Sequence, residues 1–416
     1  MDTNTLPIRL RGKLAILADA AKYDASCSSS AAERRDSRGG RGIGSTEGHG
    51  ICHSYAPDGR CISLLKVLLT NFCTYDCLYC VNRSSSNVPR ARFSVDEVVE
   101  LTLAFYARNY IEGLFLSSGI IRDADYTMEQ IVEVARRLRE VHDFRGYIHL
   151  KTIPEADGDL LLRAGRYADR LSINVELARA SSLAALAPQK RADGIQRSMA
   201  AIRTARDAGQ DRSRAGSSAP RFASAGQSTQ MIVGADAADD GELLACSRQL
   251  YDDHDLKRVY YSAFSPIPDA SRALPLEPVD AVREHRLYQA DWLMRFYGFG
   301  VDEIVAGGEN GMLDSAVDPK LAWALKHRDR FPVDVNTAER EVLLRVPGLG
   351  SRGVQRVIAS RAVAALRLED LKRIAGSVTR MKPFVIARDW TPGVRLDAPG
   401  LRSQLLGKRA QLDLFG

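Results

Sequence analysis

The segment LLKVLLTNFCTYDCLYCVNR spans residues 64–83. Its first six residues, apolar but for Lys66, form a run of the kind expected for a strand covered on both faces. The loop behind it carries Cys73, Cys77 and Cys80 in C-x3-C-x2-C spacing. Gaps of three and two residues let one short loop wrap three corners of an iron–sulfur cubane, leaving the fourth iron without a protein thiolate. The competing readings are a zinc site and buried thiols. Zinc needs a fourth ligand, and the paired C-x2-C…C-x2-C spacing is missing.

Outward from this segment the chain alternates. Further runs suited to strands occur at 113–117, 146–152, 171–176, 229–234 and 258–264. Amphipathic helical patterns separate most of them, at 94–109, 127–141, 157–166, 180–208 and 239–252. Ser94 with Glu97 three residues on reads as a capping box. Six strands with crossover helices imply parallel pairing. That pattern fits an open doubly wound sheet and a partial barrel equally well. Past residue 265 come a proline-marked connector and helices at 279–297 and 318–327, then a compact all-helical module at 334–376.

The bulk properties narrow the class. With 416 residues the chain exceeds one ordinary core. Its 45% apolar and 26% charged residues suit a soluble globular protein. No run of 18 apolar residues is present, so no membrane span is expected. The opening residues carry charge in every turn and lack an apolar signal core, which reads as cytoplasmic. The seven cysteines are odd in number, and three are packed into eight residues, which argues against a disulfide framework. Cys27, Cys52 and Cys61 with His53 suggest either a second cluster or buried thiols; Cys246 reads as core. Formal net charge is +6, yet residues 331–416 alone carry 15 Lys/Arg against 8 Asp/Glu. Basic charge gathered at one end points to a polyanion, or to a solvated basic face.

The loop at 71–83, with Tyr79 before its last cysteine, resembles the radical S-adenosylmethionine (SAM) superfamily. That resemblance implies an α/β fold: a (β/α)6 partial TIM-like barrel with the cluster loop after its first strand. It also implies an open iron that binds the amino and carboxylate groups of SAM. Binding residues are then expected at the carboxyl ends of the strands. Ser117, Ser118 and Gly119 stand where the superfamily usually has a Gly-Gly-Glu-like turn for the amino group, and here the acid is missing. Asn174 and Glu176 are candidates for ribose or SAM contact, and Gly234 for close approach of adenine. His149 and Lys151 are candidates for a carboxylate or phosphate. An ordinary strand-end polar group is the alternative at each position.

Residues 336–361, NTAEREVLLRVPGLGSRGVQRVIASR, read as helix, Pro-Gly-Leu-Gly turn and second helix, with Ser351 as N-cap. The stretch resembles a helix-hairpin-helix, an element that binds the DNA backbone; a plain turn between helices is the alternative. Glycines bring backbone N–H groups close to a phosphate, and the second helix directs its positive dipole end there. Gly348, Leu349, Gly350, Arg352 and Arg356 are the candidate DNA contacts, fixing position without reading sequence. The C-terminal QLDLFG resembles the peptide by which bacterial replication and repair proteins bind the sliding clamp. Gln411, Leu412, Leu414 and Phe415 would fill its pockets; a frayed terminus is the alternative.

Barrel and hairpin together resemble the DNA modification/repair radical SAM protein family. The likeness includes GICHSYAPDGRC, LFLSSGI, GYIHLK, AGQSTQMIVG, RVYYSAFSPIP and HRLYQADWLMRFYGF. The expected organisation is an N-terminal segment (1–55), the barrel (56–300), a helical connector (301–333), the hairpin module (334–390) and a basic tail (391–416). The implied cofactors are a [4Fe–4S] cluster and SAM. The implied activity is a 5′-deoxyadenosyl radical, of lyase or transferase type, acting on DNA beside a uracil-DNA-glycosylase-like partner. Two other readings stay open: a non-catalytic iron–sulfur DNA-binding scaffold and an RNA-modifying radical enzyme.

Overall fold

The computed structural model describes residues 8–21, 51–55, 61–214, 222–393 and 400–406. By internal packing the chain divides into two units. The first is Met1–Ala237 with Gln249–Val279; the second is Ala238–Arg248 with Asp280–Gly416.

The first unit is built on one seven-stranded sheet in the order β1-β2-β3-β4-β5-β6-β7. The strands are β1 (Ile51–Tyr55), β2 (Cys61–Leu68), β3 (Gly113–Ser117), β4 (Tyr147–Lys151), β5 (Arg170–Ser172), β6 (Gln227–Val233) and β7 (Arg258–Ala263). From β2 to β7 every neighbour is parallel, and sequence order equals spatial order. Each crossover therefore steps one strand along, and the sheet stays open, as a partial barrel does. Between the strands run α2 (Val95–Ala107), α3 (Ala124–Arg136), α4 (Gly158–Tyr167), α5 (Ala180–Leu186), α6 (Ala192–Arg214) and α7 (Asp240–His254); α1 (Ile8–Ala20) precedes the sheet. The expected capping box starts α2: Ser94 Oγ accepts from Glu97 N–H while the Glu97 carboxylate accepts from Ser94 N–H.

Three departures from the sequence reading have physical causes. The strand expected at 171–176 ends at Ser172. Val175 N–H donates to the Thr229 hydroxyl instead of a ladder carbonyl, so the ladder with β6 breaks and returns only as an isolated bridge at Glu176, which takes φ +68°. The helix expected at 180–208 divides into α5 and α6, because Pro188 lacks the N–H a continuing helix needs. β1, which lies ahead of the first apolar run, pairs antiparallel with β2 from Ile51↔Leu65 to Tyr55↔Cys61.

The second unit carries α8 (Ala281–Phe296), α9 (Val301–Val305), α10 (Pro319–Lys326), α11 (Arg340–Arg345), α12 (Ser351–Arg361), α13 (Leu368–Ala375) and α14 (Leu401–Leu406). The module expected to be all-helical also contains a parallel pair, β8 (Val333–Asp334) with β9 (Val385–Ile386). Trp323, 1% exposed, sits at the centre with Phe299 and Phe331 edge-on to it and His327 stacked on it. Lys320 is buried beneath the turn between α11 and α12. Its Nζ donates to Leu349 O at 2.7 Å and lies 4.8 Å from the Tyr297 ring centre. Burial pushes its pKa down from the usual 10.5 to about 7, with Asp318 opposing that shift and Arg345 adding to it.

Two measurements check these packing arguments. A Cβ on Gly113 would lie 2.2 Å from Tyr147 O and 2.9 Å from Leu64 Cδ2. Gly113→Ala should therefore cost about 1–3 kcal/mol in denaturant unfolding. Because the Lys320 pKa is depressed, the unfolded chain binds more protons between about pH 7 and 10.5, so this group makes stability rise with pH across that window. Lys320→Met should flatten that part of the stability–pH profile.

Candidate active site

Residues 71–83 have no helix or strand of their own, so hydrogen bonds from neighbouring segments set their path. On one side Leu69 N–H donates to Ser117 O (2.8 Å), Gly119 N–H to Thr70 O (2.8 Å) and Thr74 N–H to Ile120 O (2.7 Å). These bonds join the cysteine loop to the Ser117-Ser118-Gly119 turn after β3. A Cβ on Gly119 would come within 2.3 Å of Phe72 O and 3.3 Å of Cys73 Cβ, so the loop approaches there only because residue 119 is glycine. On the other side Leu78 N–H donates to Leu186 O (2.7 Å) and Asp76 N–H to Gln189 Oε1 (3.4 Å). The Pro188 turn is thereby tied to the same loop.

Two arginines hold the loop from within. Arg90 donates to the carbonyls of Asn71, Asn82 (2.8 Å), Arg83 (2.6 Å) and Ser86 (2.9 Å). Arg83, 4% exposed, donates to Cys80 O (3.3 Å) and to the carbonyls of Pro268 and Asp269. Ile120 N–H donates to Cys73 Sγ at 3.4 Å.

The loop opens on a cavity of about 220 Å³ at the carboxyl end of the sheet. Of the residues singled out from sequence, Cys73, Cys77, Cys80, Tyr79, Ser117, Ser118, Gly119, Asn174, Glu176 and Lys151 line it. Gly234 does not: it follows β6 with φ +76° and is outside the lining. Nor does His149. It is 2% exposed, shares a hydrogen bond with Ser172 Oγ (3.0 Å) and meets Phe115 edge-on. Alternation along β4 gave His149 the face of Lys151, but its depth in the barrel is a tertiary property.

Sequence reasoning missed two charged groups in the wall, Glu155 and Lys190. Lys190 Nζ stands 2.5 Å from Glu176 Oε1, and Asn174 Nδ2 donates to Glu176 Oε2 at 3.4 Å. Glu176, 7% exposed, thus has the counter-charge that a buried acid requires. Burial works against the Lys190 charge, but Glu176, with Tyr79 and Cys77 adding to it, outweighs burial and holds the pKa well above the usual value. Both carboxylate oxygens of Glu155 are buried without a hydrogen bond. Burial pushes its carboxyl up; Lys190 and nearby N–H groups of Glu155 and Arg191, short of hydrogen-bond geometry, oppose this. No local motif marks either residue, since a loop acid and a lysine after proline are commonplace.

The thiols fit a metal cluster by donor type and placement, three soft sulfur ligands of one loop lining one cavity. Burial pushes Cys77 up to about 11 and Cys80 up to about 12. Such thiols stay protonated at neutral pH unless a cation stabilises the thiolate. Among the described residues no three His, Cys, Asp or Glu side chains are grouped to hold a single metal ion. Of the remaining cysteines, Cys52 packs with Leu64 and Phe115, and Cys246 is a partly buried thiol of α7 pushed up to about 11. Cys27 and the side chains of His53 and Cys61 lie outside the described residues.

In the second unit, Gly348 (φ +81°), Gly350, Arg352 and Arg356 are exposed around the α11–α12 turn. Two details differ from the sequence reading. Gly350, not Ser351, is the N-cap of α12, and Ser351 N–H donates to Tyr297 Oη at 3.2 Å. Leu349 is 1% exposed; its N–H is bonded to Val346 O and its carbonyl to Lys320. Leu349 therefore anchors the turn from inside, with neither side chain nor N–H left for a phosphate. Gln411, Leu412, Leu414 and Phe415 lie outside the described residues. No helix among the described residues is long and apolar enough to cross a membrane.

No curated protein matches the chain. Among solved structures it is similar to the FeFe-hydrogenase maturase HydG from Carboxydothermus hydrogenoformans, at 14% identity over 55% of this chain and 50% of that one, with a TM-score of 0.41. It is also similar to a radical SAM methyltransferase from Sphaerobacter thermophilus (16% identity; 69% and 79% covered; TM-score 0.38). A third is coproporphyrinogen III oxidase HemN from Escherichia coli (14%; 54% and 50%; TM-score 0.35). The chain spans about half the length of the two HydG structures it matches. Residues 67–218, which hold the cysteine loop, the Ser-Ser-Gly turn, Glu155, Glu176 and Lys190, match the Radical SAM superfamily. The chain therefore carries a Radical SAM superfamily domain, of a superfamily whose members use a [4Fe–4S] cluster and S-adenosylmethionine.

Proposed function

We propose that the chain is a radical SAM enzyme that modifies or repairs DNA. When bound, cluster and SAM supply a 5′-deoxyadenosyl radical, by one-electron cleavage of the sulfonium, for hydrogen abstraction. Cys73, Cys77 and Cys80 would hold three irons, while Arg83 and Arg90 keep the loop carbonyls in place. The wall formed by Tyr79, Ser117, Ser118, Gly119, Asn174 and Glu176 would receive SAM.

The observation that supports DNA as substrate is a thiol-lined cavity and an exposed, basic glycine turn in one chain. Arg352 and Arg356 are four residues apart on α12, so both project from one face and can flank a phosphodiester strand. A base inside the duplex stack is out of reach, so a lesion or flipped nucleotide is the fitting substrate. A uracil-DNA-glycosylase-like partner and the sliding clamp belong to the same reading. The scaffold reading retains one specific observation in its favour, the absence of an acid in the turn after β3.

Anaerobic reconstitution followed by a 5′-deoxyadenosine assay under dithionite tests the reading. Product should require all three cysteines, vanish in Cys77→Ala, and rise with DNA. A fully loaded protein that makes none would favour the scaffold, and stimulation by tRNA in place of DNA would favour RNA modification. Replacing Arg352 and Arg356 with Gln should weaken duplex binding for all sequences alike. The slope of log K against log salt should become shallower by about two, as expected for two lost phosphate contacts.

A further inference from the structure

We propose that Glu155 and Lys190 receive the two ends of SAM's amino acid, Glu155 accepting from its amino group and Lys190 donating to its carboxylate. The inference rests on the use of SAM by this domain and concerns which residues of this chain bind it. Of the lining residues, Glu155 and Glu176 are the acids. Glu176 is committed to Lys190 and faces Asn174. Glu155, from the loop after β4, is the acid with both oxygens buried and unbonded. Burying a carboxylate without donors is costly, and a ligand that brings N–H groups removes the cost. The turn after β3 has no acid to do this, since it reads Ser117-Ser118-Gly119.

Lys190 complements it. Its side chain is 18% exposed and lines the same cavity. The turn that carries it is bonded to the cysteine loop through Leu186 and Gln189, which fixes its charge in the cavity that Cys77 and Tyr79 also line. An ammonium has three donors, and Glu176 takes one, so a ligand carboxylate can be received without breaking the pair. One acid and one cation thus face a ligand end that holds one amine and one carboxylate.

The test is equilibrium binding to the cluster-loaded, full-length protein kept anaerobic. Three ligands are compared: SAM, an analogue lacking the α-amino group and an analogue lacking the carboxylate. Glu155→Gln should weaken SAM about tenfold or more, the scale of a charged hydrogen bond, and leave the deaminated analogue unchanged. Lys190→Met should weaken SAM similarly and leave the decarboxylated analogue unchanged, with Lys190→Arg retaining most SAM affinity. Equal losses for SAM and the matching truncated analogue, or no loss, would overturn the assignment. Glu155→Gln also guards against misfolding: without ligand it should melt no lower than wild type, because an amide costs less to bury than an unbonded carboxylate. Wild type that binds SAM without these discriminations overturns this inference alone. Wild type that binds no SAM removes the domain's cofactor assignment as well.

Discussion

Arg90 bridges the two ends of a loop that has no helix or strand of its own to set its shape. Its guanidinium donates to Asn71 at the start of the cysteine segment and to Asn82, Arg83 and Ser86 at its end. A planar fork with five donors can satisfy several converging carbonyls at once, which a lysine cannot. Arg83 continues the arrangement from Cys80 O to Pro268 and Asp269, so the loop is tied to the segment after β7. The three thiols face one cavity because these carbonyls are gathered.

The mouth of the barrel is also an electrostatic arrangement. Buried thiols, a buried acid without hydrogen bonds and a buried ion pair share one wall. Each would be unfavourable alone, and together they describe a site prepared for a cation and for a polar ligand. The Pro188 turn is the piece that completes it. By interrupting the helix between α5 and α6 it brings Lys190 to Glu176 and Gln189 to the cysteine loop.

The turn in the second unit follows the same logic of support from behind. Leu349 is drawn inward, Lys320 bonds its carbonyl, and Tyr297 takes the first N–H of α12. The exposed remainder, two glycines and two arginines, is held by groups that never reach the surface.

Much of this was legible in the amino-acid order. The spacing of Cys73, Cys77 and Cys80, the alternation of apolar runs with amphipathic helices, and the capping box at Ser94 are local, so the sequence by itself determined the parallel pairing and the place of the thiols, whereas the order of the strands followed from the superfamily resemblance and not from the pattern. The early end of β5 was not legible, because it depends on a hydroxyl from Thr229, 54 residues beyond Val175. The depth of His149, the exclusion of Gly234 and the inward turn of Leu349 depend on which side of a packed layer each residue meets. Glu155 and Lys190 carry no motif. Only the tertiary structure decided that they share a wall with the cysteines, because charges separated in sequence are brought together by strand order and by hydrogen bonds between loops, which no local pattern records.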